Sequence, residues 1–538
     1  MRQATRVRAV ERVTEPIPAE AAVTILCAAA AVHPAARAAL LVAGIAVVTV
    51  GATAAQRAEV TVVHQAEATV VHQAEATAVH QAEVTAAVMA DIKAVDFSRR
   101  WALMKKRIEG LELLDCVPDC RATGISPVVK LEHGLVLDEG NCWSSPTLLL
   151  GAVGSGKTTL MQRMMDPILD HANRLGDNVV IFCAKPDMLR YARPQDFVIH
   201  INSSDPKCCW SIFSEINASD NPEMTLREIS TALFEEARAK TNQVFFPDAA
   251  RDVFFHTCRY LYDYGVRTGT MPDNADLVEF LETTPVWGND EIPGWTNLAE
   301  LQPSYFSMVR DYIGDGTQQG LGVLSELRTL ISNALFGNFA ARGGQFSAIE
   351  TLKKQGQRIF LYYDYAAAGH STLTVLHILL DLLMKQSMNH KNRNKTWFFL
   401  DEASVLPKSE VLTDLLSLAR DPGSNGKGGA RIVMALQSAR LMTHHYTETE
   451  AECLLSLFPN VFALRVSDSM SRKFLADRYG KALYQYSYGV GNTIHYADCV
   501  CEDVVADHRF AELTKKGQAI VSLATVRNPF FYDGYTER

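Results

Sequence analysis

The segment "LLLGAVGSGKTTLMQRM" (Leu148–Met164) meets the spacing G-x-x-x-x-G-K-[ST] with Gly151, Gly156, Lys157 and Thr158. Those residue types in that order hold a polyphosphate. Glycines let successive backbone N–H groups wrap an anion at a helix N-terminus. The loop Gly151, Ala152, Val153, Gly154, Ser155 and Gly156, followed by Lys157, Thr158 and Thr159, is therefore the candidate nucleotide cradle. Lys157 can neutralise the β- and γ-phosphates, and the Thr158 hydroxyl can ligate Mg²⁺. ATP and Mg²⁺ are the expected cofactors.

A hydrolytic site also needs acidic partners for metal and water. "TWFFLDEAS" supplies them: Thr396–Leu400 is a continuously apolar run followed by Asp401 and Glu402. Asp401 is the candidate second metal residue, acting through water, and Glu402 the candidate catalytic group that polarises the attacking water. "ARIVMALQSAR" then places polar Gln437 at the end of another apolar run, where it can sense the γ-phosphate or orient water. Between the two, "LLSLAR" ends in Arg420 ahead of the glycine-rich "DPGSNGKGG". A helix-end arginine by itself is ordinarily a charge that suits the helix dipole.

These groups need elements to hold them. Leu148–Leu150 is a buried strand, the loop follows, and a helix runs on from Thr158. "VVIFCAK" (Val179–Lys185), the run before Asp401 and the run before Gln437 read as further strands, apolar throughout as in a parallel sheet covered on both faces. Short strands are expected between Gly110 and Asn141. The P-loop and Asp401 lie about 245 residues apart, so something large is inserted. From about Asn217 to Gly344 the pattern is amphipathic helix, with "TLREISTALFEEARAK" and "FPDAARDVFFHTCRYLYDYG" as examples. The fold class is α/β with an inserted all-α subdomain.

The chain has 538 residues, which calls for more than one unit. A net charge of −9 excludes a protein that coats nucleic acid and leaves room only for a local basic groove or pore. The insert offers Arg238, Lys240, Arg251 and Arg259, which read first as solvated helix faces. Lys427 in the glycine-rich loop is undecided between the two roles. The 11 cysteines form no CxxC and have no histidine at zinc spacing, as suits reduced thiols. "RGGQ" (Arg342–Gln345) lies too far before Asp401 for an ABC-type signature, and no base-reading motif of a small GTPase is present.

Ahead of this core, Arg2, Arg6, Arg8 and Arg12 precede two apolar runs, Ala21–Val32 and Ala38–Ala55, joined by a turn at Pro34. The second run is long enough to cross a bilayer, and the arginines agree with a cytosolic start. A membrane hairpin with both ends in the cytosol is expected, with a buried Ala-rich hairpin as the alternative. From Ala58 to Met89 an eight-residue unit repeats, as in "AEVTVVHQ" and "AEATVVHQ". Eight steps of about 100° rotate the apolar positions around a helix instead of holding one face, so a spacer is expected and not a coiled coil. His64, His72 and His80 point in different directions and are not expected to bind metal.

At this point the sequence resembles the type IV secretion coupling proteins of conjugation, the TraD-type ATPases of the FtsK/HerA-like superfamily. The resemblance covers about residues 130–538. It rests on the P-loop, "FVIHINSSDPKCCWSIFSEI", the helical insert with "DAARDVF", "FFLDEASVLPKSEVLTDLLSLAR", "ALQS" and "LLSLFPNVFALRVSDSMSRKFLADRYG", in that order. It implies a RecA-like P-loop NTPase core assembled as a homohexamer on the bacterial inner membrane, with the ATPase in the cytoplasm. It implies single-stranded DNA with its relaxase or relaxosome as cargo and the type IV secretion channel proteins as recipients. It also implies that Arg420 reaches a neighbouring subunit's nucleotide.

The expected organisation is a membrane anchor over 1–57, a helical spacer over 58–95, nucleotide domain over 96–216, all-α insert over 217–344 and nucleotide domain again over 345–538. The chain departs from the family in "FCAKPDM", which keeps Lys185 and Asp187 but lacks the family's first Asp and Gly. It also has a longer Arg420-to-Gln437 loop, and no long C-terminal tail is expected after "QAIVSLATV", so how cargo is recruited is not read from the resemblance. Two other readings stay open: a receptor ATPase for protein effectors of such a system, and another motor of the superfamily.

Overall fold

A computed structural model describes residues 104–282, 303–313, 317–389, 394–418, 429–490 and 493–535. The expected membrane hairpin, the repeat spacer, Arg420 and Lys427 lie outside them. No helix among the described residues is long and apolar enough to cross a membrane.

The strands are β1 (Met104–Glu109), β2 (Val129–Lys130), β3 (Val136–Leu137), β4 (Thr147–Leu150), β5 (Asn178–Cys183), β6 (Phe197–Ile199), β7 (Arg358–Tyr362), β8 (Thr396–Leu400), β9 (Ala430–Leu436), β10 (Asn460–Ala463), β11 (Lys481–Val490), β12 (Thr493–Asp503), β13 (Ala519–Ser522) and β14 (Phe530–Tyr532). Nine of them form one sheet in the order β14-β13-β10-β4-β9-β8-β5-β7-β6. The seven from β10 to β6 are parallel, and β13 and β14 close one edge as an antiparallel pair.

The apolar runs follow from burial on both faces. Along each strand alternate side chains point to opposite sides. Leu148, Leu150, Phe182, Phe398, Leu400, Met434 and Leu436 enter one core. Leu149, Ile181, Trp397, Phe399, Val433 and Ala435 enter the other, where helix α1 (Lys157–Leu175) lays Leu160, Met161, Met164, Met165 and Ile168 against them. Burying each such side chain contributes about 1.5–3 kcal/mol. Trp397 stacks on Phe399 with centroids 6.5 Å apart and meets Trp143 edge-on at 6.2 Å.

The register carries this packing to the sheet's carboxyl edge. Leu150 pairs with Leu436, and Leu400 with Met434. The chain exits from β4, β9 and β8 therefore lie side by side, although β8 comes before β9 in sequence.

The described elements between β6 and β7 that lie within 217–344 are helical: α2 (Pro222–Lys240), α3 (Phe245–Thr268), α4 (Asn274–Glu282), α5 (Pro303–Ile313) and α6 (Gln318–Ala334), besides one short turn. Their apolar faces join the first core through Leu226, Ile229, Phe254, Val323 and Leu327. The basic residues singled out here are ion-paired. Arg238 meets Asp248 at 3.1 Å, Arg251 meets Asp248 and Asp252 at 3.0 and 2.9 Å, and Arg259 meets Asp263 at 3.1 Å. Lys240 meets Glu236 one helical turn away.

Two features differ from the sequence reading. The last strand is β14, beyond "QAIVSLATV", because Phe530 and Tyr532 pair back onto β13 and are buried. A second sheet, β1-β11-β12, carries a long hairpin that the pattern had not shown. A β-bulge opposite Gln485–Ser487 shifts the alternation along β12, and Ile494, Tyr496 and Val500 are exposed, so no single buried face marks the strand.

Candidate active site

The loop after β4 is shaped by what surrounds it. Gly151 has no room for a side chain: a Cβ there would come within 2.7 Å of the Leu464 Cβ and 2.8 Å of the Ser155 Oγ. Gly156 caps α1 with φ of +102°, a conformation that L side chains rarely adopt. The Gly151 N–H donates to the Leu436 carbonyl at 3.1 Å, and the Ala152 N–H to the Arg465 carbonyl at 2.7 Å, so neighbouring strand exits fix the loop's entry.

Lys157, the first residue of α1, folds back so that its Nζ donates to the carbonyls of Gly151 and of Ala152, the latter at 3.2 Å. Burial pulls its ammonium below the usual lysine range, with Glu402 and Asp401 opposing. Thr158 directs Oγ1 to the Asp401 Oδ1 at 3.5 Å. Asp401 itself is pinned by its N–H to the Phe182 carbonyl of β5 at 2.9 Å. Burial first, and then the adjoining Glu402 charge, pushes the Asp401 carboxyl up to about 6.

Glu402 occupies the left-handed region, with φ of +63°. A non-glycine residue held there marks local strain of the kind that clusters at functional sites. Both of its carboxylate oxygens are engaged: Ser404 Oγ donates to Oε1 and Gln437 Nε2 to Oε2, each at 2.6 Å. Gln437 is held in turn because the next residues, Ser438 and Ala439, meet the Ser471 hydroxyl at 3.3 and 2.7 Å.

Val153, Gly154, Gly156, Lys157, Thr158, Thr159, Asp401, Glu402 and Gln437 line one cleft of about 210 Å³. Gly151 and Ala152 supply carbonyls to Lys157, and Ser155 is buried beside them. Every site residue expected from the sequence is thus in or under this cleft, apart from Arg420, which lies outside the described residues. The donor set suits a polyphosphate with Mg²⁺. Thr158 and Asp401 present hard oxygen ligands of the sort Mg²⁺ takes. The Ser155 Oγ is buried without a hydrogen-bond partner, a polar group that a bound anion or its water can satisfy.

The cleft has members that the sequence had not indicated. Lys516 lines it, together with Ala184 and Lys185 after β5. The Gly517 N–H donates to the Ser155 carbonyl at 2.8 Å, and the Tyr535 hydroxyl to the Gly156 carbonyl at 3.2 Å. Nothing in "TKKGQ" or "DGY" ties those segments to a loop some 360–380 residues earlier. Only the antiparallel edge of the sheet brings them there.

Comparison with known proteins places these features in a family. Residues 139–493, about two thirds of the chain, match the family described as type IV secretion-system coupling protein DNA-binding domain. No curated protein matches the sequence. Among solved structures, the unbound bacterial conjugative coupling protein TrwBdeltaN70 is similar at a TM-score of 0.63 and 19% identity, over 82% of this chain and 96% of that one. The plasmid coupling protein TrwB in complex with ADP and Mg²⁺ gives 0.61 and 19% over 82% and 96%. The same protein with the non-hydrolysable ATP analogue ADPNP gives 0.61 and 20% over 82% and 96%. At these identities the likeness is one of fold.

Proposed function

The chain belongs to the type IV secretion-system coupling protein family, and on that premise we propose that it is a membrane-anchored ATPase that passes single-stranded DNA with its relaxase to a secretion channel. One observation supports the ATPase in this reading: Gln437 and Ser404 hold both oxygens of Glu402 in the cleft that also contains Lys157, Thr158 and Asp401; the cargo and the channel rest on the family. TrwB, which shares the fold, was crystallised with ADP and Mg²⁺ and with an ATP analogue. ATP and Mg²⁺ are accordingly the ligands proposed here.

The residues divide the work. Backbone N–H groups of the loop bind phosphate oxygens, and Lys157 exchanges its carbonyl partners for phosphates. Thr158 directly and Asp401 through water would hold Mg²⁺, which would supply charge neutralisation to the phosphates. Glu402 accepts a proton from the attacking water, and Gln437 orients the carboxylate and that water. Arg420, at the end of the segment after Glu402, is proposed to reach the nucleotide of an adjoining subunit in a hexameric ring, which would couple hydrolysis to ring geometry.

The anchor is proposed for 1–57 and the spacer for 58–95, with the nucleotide domain over 96–216 and 345–538 and the insert over 217–344. DNA contact by phosphates is independent of sequence and falls with salt. The ion pairs of Arg238, Arg251 and Arg259 favour placing that contact away from these insert faces. They also lend weight to the second reading, a receptor for protein effectors.

Electron microscopy of the full chain with a non-hydrolysable ATP analogue and single-stranded DNA tests the reading. It should show six-membered rings with DNA in the channel. Particles that bind effector protein but neither ring nor bind DNA would select the receptor instead.

A further inference from the structure

We infer that Lys516 is a further nucleotide-binding residue, delivered to the phosphates by a C-terminal strap that clamps the P-loop from outside. The inference rests on the cleft being the nucleotide site.

The strap is built from the segment on either side of the β13–β14 hairpin. At its entrance, the Thr514 and Lys515 N–H groups both donate to the Gln518 Oε1 at 3.0 Å. Gln518 Nε2 then donates to the Asp533 Oδ1 at 2.7 Å, which ties the entrance of the hairpin to its exit. Past that exit, the Tyr535 ring lies 4.4 Å from the Arg163 guanidinium on α1, and Arg163 is paired with Glu132. Two hydrogen bonds reach the loop itself, from the Gly517 N–H to the Ser155 carbonyl and from the Tyr535 hydroxyl to the Gly156 carbonyl. Gly517 has φ of +78°, and a Cβ there would strike the Tyr535 ring. Glycine lets the two segments close on each other.

The two adjacent lysines of this turn go separate ways. Lys515 pairs with Asp533 at 3.0 Å on the exposed side of the strap. Lys516 lines the cleft. The charged side chains lining it are Lys157, Lys185, Lys516, Asp401 and Glu402, so a lysine at 516 adds positive charge to the wall that would face a polyanion. Because Gly517 is bonded to Ser155, the Lys516 backbone is held one residue from the phosphate loop, and a flexible stem is enough to bring its ammonium to an oxygen.

The test is calorimetric titration of ATP with Mg²⁺ into the full chain carrying Glu402→Gln, so that the nucleotide is not consumed. Adding Lys516→Ala should weaken binding about tenfold, the effect of one charge-assisted hydrogen bond. Lys516→Arg should stay within about threefold of the parent, and so should Lys515→Ala, which removes the same charge one residue away. The melting temperature without nucleotide should change for Lys516→Ala by no more than about the loss of one exposed contact, since the side chain is exposed. Binding by Lys516→Ala that equals the parent, or an equal loss from Lys515→Ala, overturns the inference. Lys157→Ala in the same assay separates the two failures. If it also binds ATP normally, it is the P-loop reading that falls, and the inference falls with it.

Discussion

Gln437 donates through Nε2 to the Glu402 Oε2 at 2.6 Å, joining the carboxyl ends of two adjacent strands, β9 and β8. The bond gives two residues, 35 positions apart in the sequence, one shared task, and it sets the first expectation. Glu402→Gln should lower turnover by about 10²–10⁴-fold while ATP binding persists. Gln437→Ala should lower it by about 10–100-fold, with nucleotide affinity little changed. Steady-state kinetics beside equilibrium binding checks both. A loss of affinity equal to the loss of turnover would remove Glu402 from the chemical step.

Gly156→Ala should abolish ATP binding and cost about 1–3 kcal/mol of stability. The φ of +102° resists a side chain, and the new Cβ would run into the Tyr535 hydroxyl and within 2.7 Å of the Gly517 nitrogen. Chemical denaturation and a binding titration read the two effects separately. A variant that binds ATP like wild type would show that the strap yields freely.

The Asp401 carboxyl gives a pH signature. Its value is raised from 3.8 to about 6, so folding favours the neutral form. The stability that goes with that form is present below the unfolded value and is lost as pH rises through about 6. Without nucleotide or metal, Asp401→Asn should therefore be more stable than wild type near pH 8, by up to about 3 kcal/mol, and equal to it near pH 4. Mg²⁺ affinity of the wild type should run the other way and fall as pH drops through about 6. Denaturant melts at both pH values decide it, and an unchanged difference between them would contradict the assignment.

Arg251 is occupied by Asp248 and Asp252. Arg251→Ala should change affinity for single-stranded DNA by less than about twofold and leave the salt slope as it was. Fluorescence anisotropy across a salt series checks this. A slope reduced by about one would put Arg251 on a phosphate.

The chemistry was largely legible in the sequence because it sits in contiguous segments. Gly151–Thr159 carry their own strand and helix, and the runs before Asp401 and Gln437 are apolar at every position, as burial on two faces demands. The order of the strands was not legible. Nothing local in "ARIVMALQ" says that β9 slots between β4 and β8, since parallel neighbours are joined by long crossovers and set their register through packing. The strap was hidden for the same reason: Tyr535 and Gly156 are 379 positions apart, and only the finished sheet brings them together. The bulge in β12 shifts its alternation partway along, and its exposed apolar residues leave no buried face to mark it.

The most direct test of the account is steady-state ATP hydrolysis by the full chain, with and without single-stranded DNA, beside the Lys157→Ala and Glu402→Gln variants. Wild-type turnover should rise several-fold with DNA at low salt and lose that rise as salt increases, and turnover should be lower by at least about 10²-fold in both variants. Hydrolysis that survives Lys157→Ala, or that ignores DNA at every salt concentration, would contradict it.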